Sequence, residues 1–262
     1  MVEQLSLQKC GDGIAVLTFN RPEALNAMSL AMMRRFAEII TELQADNALC
    51  ALILTGAGTE SFCSGGDLFE LSQKPTEEDA RSFISLMGDA LLEMEQLPVP
   101  VIAAINGYAL GGGSEIFVAC DIRIVDEKAR LGFVQIGLAL TPGWGAGQRL
   151  LRLVGYSKAM QLLLSGSVLK VDELQSLGLV IDVVPVGTAL DAALTFARTH
   201  ITPNPPAVVR SIKTLLRAGL EQPPGQAITL ERDLFPPLWA AEPHSKAVEV
   251  FLNKQKNKKD NS

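Results

Sequence analysis

Three consecutive glycines, Gly111, Gly112 and Gly113, stand one residue ahead of Glu115 in NGYALGGGSEIFVACDI, residues 106–122. A second glycine pair lies in FCSGGDL at residues 62–68, and each of the two turns follows an apolar run, PVPVIAAI and CALILTG respectively. Glycine tolerates positive φ and lets other groups approach the backbone. Two such turns, each aiming one backbone N–H at the same point beside a helix start, would stabilise an oxyanion forming on a carbonyl oxygen. Losing one such donor costs about 3 kcal/mol of barrier. Plain tight turns also use glycine, but comparable placement in successive units favours the chemical reading. Glu115 then reads as a carboxylate inside a pocket, although a glutamate in a first helical turn also serves capping.

Phosphate-binding loops fit less well. LTGAGTESF offers Gly56 and Gly58 but Ser61 where G-x-G-x-x-G needs its third glycine, and GWGAG at residues 143–147 fails the same test. Cys10, Cys50, Cys63 and Cys120 show no C-x-x-C spacing, and only His200 and His244 could join them, so no metal site is expected. Cys63 sits beside the first glycine turn without a histidine in any motif, and reads as a small buried thiol rather than a nucleophile. A net charge of -6 argues against nucleic-acid or membrane-surface partners, which call for a basic patch. No signal-peptide pattern opens the chain and no apolar run approaches the roughly 18 residues of a membrane span, so a cytoplasmic protein is expected.

These residues need elements to hold them. With 262 residues, 48% of them hydrophobic, the chain can bury one substantial core with at most a small appendage. QLSLQK and IAVLTFN read as strands joined at CGDG, where Asp-Gly supplies positive φ. Ser29 is placed to cap the amphipathic LAMMRRFAEIITELQAD, and CALILTG reads as a strand buried on both faces. A helix is expected from about Glu77 to Gln96, then another buried strand and the helix carrying Glu115. From about Gly145 onward the pattern is helix after helix, interrupted by GLVIDVVP. The class is therefore α/β, with a sheet-and-helix core over residues 1–200 and a helical region over 201–262 that ends in the solvated NKQKNKKDNS.

In order and spacing, NRPEALNAMS, FCSGGDL, NGYALGGGSEIFVACDIRI and TPGWGAGQRLLRLVG resemble the crotonase, or enoyl-CoA hydratase/isomerase, superfamily from roughly Val16 to Phe251. The resemblance implies a spiral of ββα units with a helical C-terminal trimerisation region, assembled as a homotrimer or homohexamer. An acyl-CoA thioester is the implied substrate, with coenzyme A part of that substrate and no separate cofactor. Gly66 and Gly112 would supply the two N–H donors, while Ala24, Leu25, Gly65, Asp67 and Leu68 would line the coenzyme A path. Trp144 fits either the acyl pocket wall or the core, His244 the acyl or coenzyme end or a surface helix, and Lys254 the adenosine phosphates or a solvated tail.

Hydratases of this family carry two glutamates, and here the pattern breaks. Glu115 matches the first, but Val134 and Gln135 replace the Pro-Glu of the second. Syn addition of water calls for an acid and a base, and an amide exchanges no proton near neutral pH. Decarboxylation of a malonyl-type thioester forms the same enolate without a base, and a neutral Gln135 spares a substrate carboxylate a repulsion of about 1 to 4 kcal/mol at about 4 Å. GFVQIGLALTPGWG and ERDLFPPLWAAEPHSKAVEVF also resemble the ethylmalonyl-CoA decarboxylase-like branch. The main expectation is thus decarboxylation of a short alkylmalonyl-CoA, such as ethyl- or methylmalonyl-CoA. Enoyl-CoA hydration by Glu115 alone and a non-catalytic acyl-CoA-binding role are the alternatives.

Overall fold

The computed structural model describes residues 3–260, with side chains as far as Lys254. It divides into one unit up to Thr202 and another from Pro203. The first unit opens with an antiparallel hairpin, β1 (Leu5–Lys9) and β2 (Ile14–Phe19), with Gly13 at φ 79° in its turn. A 3₁₀ turn (Pro22–Ala24) leads to α1 (Leu30–Gln44), capped as expected by Ser29, whose Oγ accepts from Met32 N at 3.2 Å. Met32, Phe36, Ile39, Ile40 and Leu43 form the buried stripe of α1, each worth about 1.5–3 kcal/mol of apolar transfer.

A repeat then sets in. β3 (Ala51–Gly56) is followed by β4 (Ser61–Cys63), α2 (Leu68–Leu71) and α3 (Glu77–Glu95); β5 (Val101–Ile105) by β6 (Tyr108–Leu110) and α4 (Gly112–Ala119); β7 (Ile122–Asp126) by β8 (Arg130–Gly132) and a 3₁₀ turn (Val134–Leu138). The first strand of each pair enters a six-stranded sheet of order β1-β2-β3-β5-β7-β10, the second a four-stranded sheet of order β4-β6-β8-β9. Within each sheet the successive repeats pair in parallel. This is the expected spiral of ββα units. All six residues of β3 are buried, as a strand flanked by parallel neighbours requires.

The remaining elements of this unit are α5 (Ala146–Val154), α6 (Tyr156–Ser165), β9 (Val168–Leu169), α7 (Val171–Ser176), β10 (Asp182–Val184) and α8 (Ala189–His200). The second unit holds α9 (Pro206–Glu221), α10 (Pro224–Trp239) and α11 (Glu242–Asp260). The short strands β4, β6 and β8 are not read from the sequence pattern, because three residues carry too little periodicity to register as a strand. Among the described residues no helix is long and apolar enough to cross a membrane.

Two buried asparagines fix the connection from β3 to β4. Asn26 donates through Nδ2 to Ala57 O (3.0 Å) and Ser61 O (2.6 Å), and accepts from Arg21 N at 2.9 Å. Asn106 donates to Gly56 O (2.9 Å) and Gly58 O (2.7 Å) and accepts from Gly56 N at 3.1 Å. Removing such a side chain strands buried carbonyls, at about 1–3 kcal/mol for each group left unpaired. Asn106→Ala should therefore lower urea-unfolding stability by about 2–3 kcal/mol, and Asn106→Asp should cost more because its anion would face those carbonyls.

Candidate active site

The two glycine turns meet. Gly65 has φ 101° and Gly111 φ 54°, the left-handed region that glycine enters without penalty. A Cβ on Gly65 would stand 2.9 Å from Gly112 N, and one on Gly113 only 1.9 Å from Cys63 O. The turns are thus packed backbone to backbone, which side chains at these positions would forbid. Neither Gly66 N nor Gly112 N donates to a protein acceptor among the described residues. Gly112 opens α4, where the helix dipole adds to its N–H.

Opposite this pair the segment from Ala24 to Met28 pairs with residues 64–67. Ser64 N donates to Leu25 O (3.1 Å), Met28 N to Gly65 O (2.8 Å) and Asp67 N to Met28 O (2.9 Å). Leu25 and Asn26 take φ of 50° and 57°, and the Asn26 hydrogen bonds described above hold this strained corner. Leu68 is exposed, whereas Asp67 is largely covered; its Oδ2 takes Arg21 Nη1 at 2.9 Å and its Oδ1 caps α2. The backbone bonds tie Leu25, Gly65 and Asp67, three of the residues expected along the coenzyme path, into one wall beside Gly66, with Ala24 and Leu68 adjoining them in the chain.

Glu115 is only 3% exposed and lies at the fourth position of α4, in its first turn, where its carboxylate turns to the 143–146 segment instead of capping the helix. Its Oε1 accepts from Gln135 Nε2 (3.0 Å) and Gly143 N (3.1 Å), its Oε2 from Trp144 N (2.7 Å) and Ala146 N (3.1 Å). Burial pushes the carboxyl above its ordinary value; the N–H groups of Ala146, Gly143 and Trp144 and the Gln135 amide offset that only in part. Ser114 ties α4 to the strand before Gln135, with Oγ 2.8 Å from Gly132 O. The Gln135 Oε1 atom is buried and has no protein partner. Trp144 is buried with its ring against Gly112, where a Cβ would meet Cζ3 at 2.2 Å. One residue thus touches both the helix start and the carboxylate.

Of the residues expected at the site, Glu115 and Gln135 are hydrogen-bonded to each other, Gly112 meets Glu115 through Trp144, and Gly66 adjoins the Gly65 backbone that lies against Gly112, but sequence reasoning misses the 143–146 turn. Its signal is GWGAG, which fails as a phosphate loop and otherwise enters only through the family resemblance, yet a carboxylate occupies the nest of N–H groups it forms. Cys63 is fully buried and its thiol is pushed up to about 12 by desolvation, which fits an inert thiol. His244 packs its ring 4.4 Å from that of Trp239 on the helical unit, and Lys254 is exposed.

The family profile described as enoyl-CoA hydratase/isomerase matches residues 9–261. The chain belongs to this family. A short-chain-enoyl-CoA hydratase of Clostridium acetobutylicum is 39% identical over 93% of this chain and 92% of that protein. A crotonyl-CoA hydratase of Syntrophomonas wolfei is 35% identical over 97% and 96%. The crystal structure of an enoyl-CoA hydratase from Bacillus anthracis superposes with a TM-score of 0.91, at 34% identity over 96% of this chain and 97% of that one. As an enoyl-CoA hydratase/isomerase family member, the protein is a crotonase-type acyl-CoA enzyme.

The wall beside Gly66 carries its own pH dependence. The hydrogen bond from Arg21 holds the Asp67 carboxyl below its usual range, against a smaller opposing effect of burial. A depressed folded-state value means stability present above the unfolded value of about 4 and lost as pH falls through the folded one. The stability gap between the wild type and Asp67→Asn, read by urea unfolding, should be constant from neutral pH down to about pH 5 and shrink below about pH 4.

Proposed function

We propose that the protein is an enoyl-CoA hydratase that adds water reversibly to a short 2-enoyl-CoA, with Glu115 as its single proton-transfer group. One observation carries this reading: a lone buried carboxylate, held by four N–H donors, stands one helical turn from the unpartnered Gly112 N–H. In this reading Gly66 N and Gly112 N hold the thioester oxygen and stabilise the enolate. Glu115 in its ionised form takes a proton from water as the water oxygen bonds to the β-carbon. The carbon–carbon π pair moves onto the thioester as an enolate, and Glu115 returns the same proton to the α-carbon on the same face. Gln135 Oε1 accepts a hydrogen bond from that water, and Ala24, Leu25, Gly65, Asp67 and Leu68 line the coenzyme A path.

The relatives named as hydratases support this reading over decarboxylation. In its ionised form Glu115 would also repel a malonyl carboxylate. Decarboxylation stands as the second reading on one feature, the neutral amide of Gln135, which leaves such a carboxylate one anion to face instead of two. A purely binding role is disfavoured by two intact N–H donors and a positioned carboxylate. Assembly as a trimer or hexamer fits the exposed Ile212, Leu216 and Leu220, which recur at helical spacing on α9.

Mass spectrometry of purified enzyme with crotonyl-, ethylmalonyl- and methylmalonyl-CoA tests the choice. Gain of one water by crotonyl-CoA, lowered about 10²- to 10⁴-fold by Glu115→Gln, is the expected result. Gln135→Glu should raise hydration roughly tenfold or more by restoring a second acid–base group. Loss of carbon dioxide from either malonyl thioester, with crotonyl-CoA untouched, would overturn hydration in favour of the second reading.

A further inference from the structure

Beneath the 143–146 turn lies a second layer of charge. Arg149, the fourth residue of α5, is buried and sends Nη1 to Trp144 O (2.5 Å) and Nη2 to Glu95 Oε2 (2.7 Å). Glu95 ends α3 with 17% of its side chain exposed. Gly145, with φ 99°, makes room: a Cβ there would stand 2.6 Å from Arg149 Nη1. The turn therefore sorts its peptide groups by charge. Three N–H groups point at Glu115, and the Trp144 carbonyl between two of them points at the guanidinium.

The same face of α3 braces the turn further up. A Cβ on Gly143 would meet Ile84 Cδ1 at 2.5 Å, and one on Gly88 would lie 3.9 Å from Gly143 O, so Ile84, Gly88 and Glu95 form one stripe against the 143–149 segment. From Glu115 through the turn to α3 the order is anion, turn, cation, anion. An opposite charge favours an ionised carboxylate and a like charge disfavours it, with little screening in a water-poor interior.

We propose that Arg149 and Glu95 are positioning residues that act on Glu115 through the 143–146 turn with opposite signs, Arg149 favouring the Glu115 anion and Glu95 tempering Arg149. This rests on the reading of Glu115 as the proton-transfer group. Other titratable groups on the elements packed against α4 leave the pair in control. Arg152 on α5 and Tyr108 on β6 are exposed, and Cys63 on β4 is a neutral thiol. On α3, Asp79 is half-buried at the far end, and the remaining acids and Arg81 are exposed.

The test separates the two claims. Trp239→Phe leaves Trp144 as the one tryptophan, and its emission against pH reports Glu115 protonation; Glu115→Gln in that background should remove the transition. In the same background Glu95→Gln should move the midpoint to lower pH and Arg149→Met to higher pH, each by about half a unit or more. The acid limb of kcat/KM for crotonyl-CoA hydration should follow, with kcat lowered and KM changed less than about threefold. Arg149→Lys, which keeps the charge but loses the fork, should restore the midpoint while kcat stays low. A merely loosened turn would withdraw N–H donors and move both midpoints upward; that outcome, or two unmoved midpoints, overturns the proposal. If Arg149→Met fails to fold, the downward shift in Glu95→Gln decides alone. Opposite shifts without hydration would keep the charge lever and discard the hydratase reading; hydration without shifts would do the reverse.

Discussion

Glu115 places a carboxylate where only 3% of the residue meets solvent. An ion so buried costs several kcal/mol unless its lone pairs are satisfied, and the surrounding architecture answers that demand. Both oxygens are doubly bonded by donors, three from one backbone turn and one from Gln135. Meeting this constraint fixes where α5 begins, where the turn after β8 runs, and how α3 must lie to support both.

Close packing of backbone on backbone is the companion constraint. The chain of the other turn passes within contact of Gly112 N, and Gly65 and Gly113 permit this by lacking side chains. Trp144 then closes the remaining space against Gly112 while its own N–H binds Glu115. A displacement of this ring disturbs the helix start and the carboxylate together. The asparagines at 26 and 106 serve the same end at a distance, holding the β3 to β4 connection so that the residues after Cys63 emerge beside Gly112.

What the sequence reveals of this arrangement follows the range of the interactions. Local signals are legible: the Ser29 cap, the fully apolar β3, the hairpin at Gly13 and the two glycine turns announce themselves within a few residues. Short strands such as β4 and β6 do not, since pairing defines them rather than composition. The nest at 143–146 is illegible because its partner lies 28 to 31 residues away, and the Arg149 to Glu95 contact spans 54. A positive φ at Gly145 is compatible with many turns, and only the three-dimensional neighbour shows which one is built. Gln135 is the intermediate case. Its identity marks a departure from the two-glutamate pattern, but the consequence of that departure depends on where its amide points.

That amide donates to Glu115, so Gln135 and the carboxylate act as one unit. A second glutamate at this position would share the pocket as a competing anion and raise the cost of ionising both. The amide instead adds a donor, offsets part of the cost of burying the Glu115 anion and, in the proposed hydration, leaves proton exchange to a single group. Such a group must release the proton it takes, which a strongly stabilised carboxylate does poorly. Burial works against the donors for this reason: desolvation raises the carboxyl while the nest lowers it, and the balance between them sets how readily Glu115 can serve in turn as base and acid. In the proposed hydration, with one carboxylate in place of two, the demands that a pair would divide fall on the solvation of one side chain, and the turn that supplies its donors becomes as much a part of the chemistry as the residue itself.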